Sequence, residues 1–194
     1  GAYIFASNRN MIERSIDCLP LSGVKQLLEI GFGNGAHLPY LFAKAPHLHY
    51  TGIERSEAMI AEATALNTAL VEQGKAVFLH ALTEELPPLP YESFEVCFCV
   101  NTYYFITNLR AYFAQVYSLL RQGGSFVLGA IGKEFGERMP FTKGVFTFYT
   151  PEQLQELLLS VGFTAFDLQT FMEEIPTKRG TTIERPFQVI TVRK

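Results

Sequence analysis

From Gln26 almost to the C-terminus, short apolar runs alternate with segments of helical periodicity, and this alternation constrains the fold more than any other feature of the chain. Parallel strands need a long crossover between them, most often a helix, so the expected architecture is an α/β, mostly parallel sheet with helices on both faces. The strand candidates are 26–30, 49–53, 76–79, 94–100 and 125–131. Between them the spacing predicts a helix over 35–45 closed by Pro46. It also predicts a long helix capped by Ser56, with Met59, Ile60, Ala63, Leu66, Leu70 and Val71 as its stripe and Gly74 at its end. A further helix starts at Asn108 and turns Leu109, Tyr112, Phe113, Val116 and Leu120 inward. Residues 8–19 predict a leading helix, and Thr150-Pro151-Glu152-Gln153 reads as a capping box with Gly162 as the matching stop. Two consecutive strands near 163–170 and 187–193 close the chain, so the last is expected to run antiparallel. The length favours a single domain over 1–194.

Composition narrows the function classes. The formal net charge is −3 and Lys and Arg are scattered singly, so no nucleic-acid partner is expected. No apolar run approaches the roughly 18 residues of a membrane span, and no secretory signal is visible. Cys18, Cys97 and Cys99 do not form a disulfide pattern. Cys97 and Cys99 lie two apart in an apolar strand, on one side of it, and are expected to pack as small apolar residues in a reducing, cytoplasmic setting. His37, His47, His49 and His80 lack metal-ligand spacing, so no metal is expected.

The chemistry gathers where the first strand ends, in Glu29-Ile-Gly31-Phe-Gly33-Asn-Gly35-Ala36. Ligands of open α/β sheets sit beyond the carboxyl ends of the strands. Glycines there let the backbone approach a ligand closely, and the N–H groups of the following helix face it. Glu54 ends the second strand, about 20 residues past the loop, where a carboxylate can accept hydrogen bonds from both hydroxyls of an adenosine ribose. Gly31-x-Gly33-x-x-Ala36 also satisfies a dinucleotide pattern, which leaves an NAD(P)-dependent oxidoreductase as an alternative. The short chain, the absence of a second domain and the lack of a Tyr-x-x-x-Lys pair weigh against it. His37, on the first turn after the loop, is expected either at a ligand carboxylate or on the helix surface.

Leu28-Glu-Ile-Gly-Phe-Gly-Asn-Gly35, Gly52-Ile-Glu54-Arg-Ser56-Glu-Ala-Met59 and Leu120-Arg-Gln-Gly-Gly124 resemble the class I S-adenosylmethionine-dependent methyltransferases, in particular the small-molecule branch that includes quinone-biosynthesis enzymes. The resemblance covers 8–163. It implies a Rossmann-like, seven-stranded sheet of order 3-2-1-4-5-7-6 with strand 7 antiparallel, S-adenosylmethionine as cofactor and a small-molecule acceptor. It further implies that Glu29, Gly31, Gly33 and Gly35 line the methionine and sulfonium end, that Glu54 holds the ribose, and that Arg55 and Met59 flank the adenine. The family usually carries an Asp where Leu82 stands, so adenine recognition would pass to backbone groups near Leu82 and Thr83 or to Glu84. That departure leaves a non-catalytic S-adenosylmethionine binder as a second alternative. Strand four ends in Asn101-Thr-Tyr-Tyr104, which lacks the paired prolines of amino-group methyltransferases. Asn101 is expected beside the cofactor, and Tyr103 and Tyr104 against the acceptor. The aromatic, loop-like stretch 133–149 is expected to be a substrate lid that carries Phe141 and Phe146, hinged at Gly132, Gly136 and Gly144.

Overall fold

The computed structural model describes residues 2–82, 85–176 and 181–194, with the backbone alone at 2–7 and at Phe141. The chain runs α1 (Ala2–Asp17), β1 (Gln26–Ile30), α2 (Leu38–Lys44), β2 (His49–Glu54), α3 (Glu57–Leu66), α4 (Thr68–Glu72), β3 (Ala76–His80) and β4 (Phe94–Val100). It continues through α5 (Leu109–Leu119), β5 (Leu120–Ile131), α6 (Lys133–Arg138), α7 (Pro151–Val161), β6 (Thr164–Pro176) and β7 (Thr182–Arg193). One seven-stranded sheet results, ordered β3-β2-β1-β4-β5-β7-β6. The first five strands pair in parallel, and β7 inserts antiparallel between β5 and β6. β1, β4 and β5 are apolar on both faces and buried on both, the signature of a sheet covered by helices above and below. Among the described residues no helix is long and apolar enough to cross a membrane.

Local chemistry explains most boundaries. Ser56 and Asn108 accept the N–H groups of Met59 and Ala111, and Thr150 and Gln153 complete the reciprocal capping box. Gly162 closes α7 in the left-handed conformation at φ 115°. α1 lies close over β5 because Gly129 has no side chain: a Cβ there would collide with the Ser15 hydroxyl.

Four expectations are corrected. The helix expected over 35–45 begins only at Leu38, because Asn34 Oδ1 first accepts the Ala36 N–H (3.2 Å) in a turn. The long helix after Ser56 is two, broken at Asn67, whose amide donates to the Ala63 carbonyl (2.9 Å) and across to the Gly35 carbonyl (3.1 Å). Side-chain bonding of this kind competes with the helical ladder. Residues 133–149 contain α6 and a short 3₁₀ turn, Pro140–Thr142, rather than open loop. The closing strands are longer than expected. β5 stops pairing with β7 at Ile131–Phe187, yet β6 and β7 stay paired as far as Pro176–Thr182. At roughly 3.3 Å per residue this hairpin overhangs the carboxyl edge of the sheet by about 17 Å.

Candidate functional site

The carboxyl ends of β1, β2, β4 and β5 open into a cavity of about 620 Å³, within the roughly 300–1,000 Å³ of small-molecule sites. One end is built by the glycine loop from Glu29 to Asn34, by Glu54, Arg55, Ser56 and Met59 after β2, and by Val100, Asn101 and Thr102 after β4. The other end is walled by Ile12, Tyr104, Phe105, Met139 and Phe146, with Asn8 and Arg185 as its polar members.

Glu54 is only 8% exposed and is held by three backbone donors. Its Oε2 accepts from Gly33 N (3.0 Å), and its Oε1 accepts from Arg55 N (2.9 Å) and Ser56 N (3.0 Å). An ionised carboxylate has about four acceptor positions, so capacity remains toward the cavity. Glu29 is 3% exposed, and its Oε2 accepts from Tyr50 Oη (2.6 Å) and His37 Nε2 (2.7 Å). Because a carboxylate only accepts, the His37 hydrogen on Nε2 lies in that contact. His37 is therefore neither a surface residue nor a ligand contact: it is 2% exposed and braces Glu29 from behind. Neither His37 nor Tyr50 lines the cavity, and sequence reasoning did not connect either with Glu29.

The three loop glycines are all left-handed, at φ 79°, 64° and 65°, but for different reasons. A Cβ on Gly31 would overlap the Thr102 methyl, so the loop packs flush on the end of β4. A Cβ on Gly33 would meet nothing within 4 Å, and Gly33 faces the open cavity. A Cβ on Gly35 would press on Ala63 and Asn67 at 3.1 Å, so this glycine serves the contact with α3 and does not line the cavity as expected. Arg55, Met59 and Asn101 do line it. Leu82 does not: its side chain is 57% exposed on the surface. Thr83 and Glu84 lie outside the described residues.

Asn101 takes φ 56°, uncommon for a residue with a side chain and typical of functional sites. Its Oδ1 accepts from the Tyr104 hydroxyl (2.9 Å), which in turn accepts from Ile131 N (2.6 Å). Burial pushes the Tyr104 hydroxyl well above its ordinary range. Tyr103, expected in the acceptor wall, lies beneath it instead: its ring packs on Tyr104 and Tyr149, and its hydroxyl accepts from Tyr149 N (3.4 Å). The 133–149 segment divides in two. Phe148 is buried, with its ring filling the space beside Gly136, and Thr147 N donates to Tyr104 O (2.9 Å), so this half belongs to the core. Phe146 stacks on Tyr104 at 5.7 Å and, with Met139, faces the cavity. The side chain of Phe141 lies outside the description. Gly136, expected as a hinge, is packed against Phe148.

Arg185 was not among the sequence candidates. Its Nε (2.7 Å) and an Nη (2.6 Å) both contact Glu173 Oε1, and an Nη donates to Asn8 Oδ1 (3.1 Å). Arg185 and Glu173 face each other across the overhanging part of the hairpin, where the expected strands had already ended. Pro186 beside Arg185 argues against a strand on sequence grounds, which hid the signal.

A family model described as a methyltransferase domain matches residues 28–128, over half of the chain. The uncharacterized methyltransferase YdaC of Bacillus subtilis (strain 168) is 28% identical over 124 residues, which is 64% of this chain and 66% of that relative. A crystal structure from Bacillus halodurans C-125, provisionally assigned as a methyltransferase, superposes with a TM-score of 0.76 at 14% identity, covering 96% of this chain and 99% of that one. An S-adenosylmethionine-dependent methyltransferase from Mesorhizobium loti gives 0.70 at 18% identity, covering 93% and 96%. At such identities the likeness speaks for the fold. The family match leaves no footing for the nicotinamide alternative.

Proposed function

The chain belongs to the methyltransferase-domain family, and on that footing we propose that it moves the methyl group of S-adenosylmethionine to a small-molecule acceptor held against Tyr104, Phe105 and Phe146. The observation that carries this reading is Glu54, a buried carboxylate fixed by three backbone N–H groups and still open to the cavity. A group so placed is organised for ribose hydroxyls before any ligand arrives. The surroundings fit the rest of such a cofactor. Gly33 offers bare backbone to the cavity, Glu29 offers a braced carboxylate suited to a ligand ammonium, and Arg55 and Met59 provide flanks for an adenine. With Leu82 on the surface, the adenine edge has no carboxylate from that position, and its recognition rests on these flanks and on backbone groups.

When bound, the cofactor supplies an activated methyl group on a positively charged sulfur, open to in-line attack by a nucleophile. The protein's part is alignment and exclusion of water, which can supply roughly 7–11 kcal/mol of a barrier. The Tyr104 hydroxyl donates to Asn101 Oδ1 and accepts the Ile131 N–H, so the two side chains hold the wall beside the reacting atoms in one geometry. Phe105 and Phe146, 4.5 Å apart edge to face, close the apolar side. The free, buried Cys97 and Cys99 fit a reducing, cytoplasmic setting. The cavity's size fits a small molecule better than a macromolecular strand.

The reading is tested by calorimetric titration of the protein with S-adenosylhomocysteine and with NAD, followed by a screen for transfer of labelled methyl from S-adenosylmethionine to a small-molecule library. Binding of S-adenosylhomocysteine, no binding of NAD and a labelled product are the expected results. Binding without transfer to any acceptor would favour the non-catalytic alternative, and no S-adenosylhomocysteine binding would refute the reading outright.

A further inference from the structure

Asn101 follows directly on β4, which stands between β1 on the cofactor side of the sheet and β5 on the acceptor side, so the residue borders both ends of the cavity. Its backbone is held at φ 56°, with Asn101 N donating to Gly129 O (2.9 Å). Asn and Asp are the side chains best suited to that left-handed conformation. The orientation of the amide is then set by a chain of hydrogen bonds that starts on the backbone.

The Ile131 N–H can only donate, so the Tyr104 hydroxyl oxygen, 2.6 Å from Ile131 N, is its acceptor. Tyr104 is 2% exposed, and leaving its one hydroxyl hydrogen unpaired there would be costly. That hydrogen goes to Asn101 at 2.9 Å, which places the carbonyl oxygen Oδ1 on the Tyr104 side. Burial pushes the Tyr104 hydroxyl well above its ordinary range, so the hydrogen stays in place at neutral pH. The amide hydrogens of Asn101 are thereby turned away from Tyr104. They meet no acceptor among the described residues and are not sealed in the core, so they are left for a molecule in the cavity. The Arg185 guanidinium, by contrast, is engaged by Glu173 and Asn8.

A donor at this place discriminates between nucleophiles by their lone pairs. An amine spends its single lone pair on the methyl carbon and brings N–H groups that would confront the Asn101 amide donor to donor. A sulfur accepts hydrogen bonds only weakly. An ionised oxygen attacks with one lone pair and has others left to accept with. Beside it, Phe146 stacks on Tyr104 at 5.7 Å and meets Phe105 edge to face at 4.5 Å, a wall suited to a flat ring.

We propose that Asn101 is a specificity-determining residue that donates its amide hydrogens to the acceptor's oxygen, and that the acceptor is an aromatic hydroxyl compound taken as its phenolate. The proposal rests on the methyl-transfer reading and adds the class of nucleophile to it. The phenol loses its proton to solvent on binding. A lone pair of the phenolate oxygen then forms the bond to the methyl carbon while the carbon–sulfur bond breaks and its electron pair returns to sulfur. The products are an aryl methyl ether and neutral S-adenosylhomocysteine. An anionic oxygen is also drawn to the positive charge on the cofactor's sulfur, in the same direction as the amide acts.

The test uses the full chain saturated with S-adenosylhomocysteine at about pH 8, followed by ligand-observed NMR. It is titrated with para-nitrophenol, largely ionised at that pH, and with para-nitroaniline, its amine counterpart of nearly equal shape. The nitrophenolate should bind about tenfold or more tightly than the nitroaniline, as a charged hydrogen bond allows. Asn101→Asp keeps the shape, the backbone and the bond from Tyr104 but replaces the inward hydrogens by an acceptor oxygen, and should abolish or reverse the preference. Asn101→Gly suits the same backbone and removes the amide without adding charge, and should cut the preference to about twofold or less. No phenolate preference in the wild type, or a preference that survives in Asn101→Gly, overturns the proposal. So does a loss of S-adenosylhomocysteine affinity in Asn101→Gly larger than the loss for nitrophenolate, which would assign the amide to the cofactor. Because S-adenosylhomocysteine affinity is measured first on the same samples, failure of the underlying methyl-transfer reading is seen separately, as no binding by the wild type.

Discussion

Gly33 and Gly35 sit two residues apart in the same loop with nearly the same left-handed backbone, and their alanine variants should fail in opposite ways. In Gly33→Ala the new methyl meets no protein atom within 4 Å, so the folded state suffers only from φ 64°. A left-handed non-glycine residue costs roughly 1–2 kcal/mol, and at roughly 2–4 °C per kcal/mol for a domain of this size the melting temperature should drop by about 2–8 °C. The same methyl projects from a residue that lines the cavity. Forcing a methyl into filled space costs roughly 1–3 kcal/mol, so S-adenosylhomocysteine should bind roughly 5- to 150-fold more weakly. In Gly35→Ala the methyl presses on Ala63 and Asn67 at 3.1 Å, away from the cavity. Strain and overlap then add within the fold, about 2–5 kcal/mol in all, while affinity of the folded protein stays within about twofold. Differential scanning fluorimetry and isothermal titration on both variants decide the matter. Normal affinity in folded Gly33→Ala, or weakened binding in Gly35→Ala without loss of stability, would refute the assignment of one glycine to ligand and the other to packing.

Glu54→Ala should weaken S-adenosylhomocysteine binding roughly 10- to 100-fold, as loss of a charged hydrogen-bond acceptor implies. Glu54→Gln should do no better in titration, because its amide hydrogens would oppose the backbone N–H groups that Gly33, Arg55 and Ser56 aim at the carboxylate. His37→Leu removes one donor from buried Glu29 and should cost about 1.5–3 kcal/mol in urea unfolding, with a smaller effect on binding because Tyr50 still holds the carboxylate. Burial pushes the Cys99 thiol up to about 11 and the Cys97 thiol well above its usual range. At pH 8 the Cys99 thiolate fraction is then about one in a thousand, so iodoacetamide should label at most Cys18 in the native protein and all three cysteines after denaturation. Phe148→Ser should destabilise by about 3–5 kcal/mol as a core cavity, whereas Phe146→Ser should leave melting and cofactor affinity nearly unchanged and reduce turnover of the acceptor.

What could be read from the sequence follows from which forces are local. The central parallel strands β1, β4 and β5 are mostly apolar runs because both faces are covered, and the caps at Ser56, Asn108, Thr150 and Gly162 are satisfied within one helical turn. Those elements were legible. The break at Asn67 was not, because the amide that causes it bonds to Gly35, 32 positions away in sequence. The roles of Gly33 and Gly35 could not be separated either, since both need the left-handed region and only the neighbours differ. His37 and Tyr50 look like ordinary helix and strand residues until the fold brings both to one oxygen of Glu29. The overhang of β6 and β7 escaped for a further reason. Exposed along most of its length, β6 shows no clean alternation of apolar and polar residues, and Pro186 masks its partner.

These two classes of residue map onto the two ends of the cavity. The end assigned to the cofactor is made of backbone and of carboxylates that the backbone or buried side chains hold: Glu54 by three N–H groups, Glu29 by His37 and Tyr50. Such groups are coupled to the sheet itself, so a change there disturbs fold and binding together. The acceptor end is made of Tyr104 and Phe105 after β4 and of side chains from α1, the 133–149 segment and the hairpin, and these last three reach the cavity from outside the parallel core. Phe146, Met139 and Ile12 can change size without removing a strand hydrogen bond, and the Arg185–Glu173 pair can be exchanged as a unit. Acceptor choice should thus be separable from cofactor binding, with substitutions on the β5–β7 side altering which molecule is methylated while affinity at Glu54 holds. The separation has one seam, at Asn101 and Tyr104, where a strained backbone and a shared hydrogen bond join the two ends, and there any substitution should be felt by both.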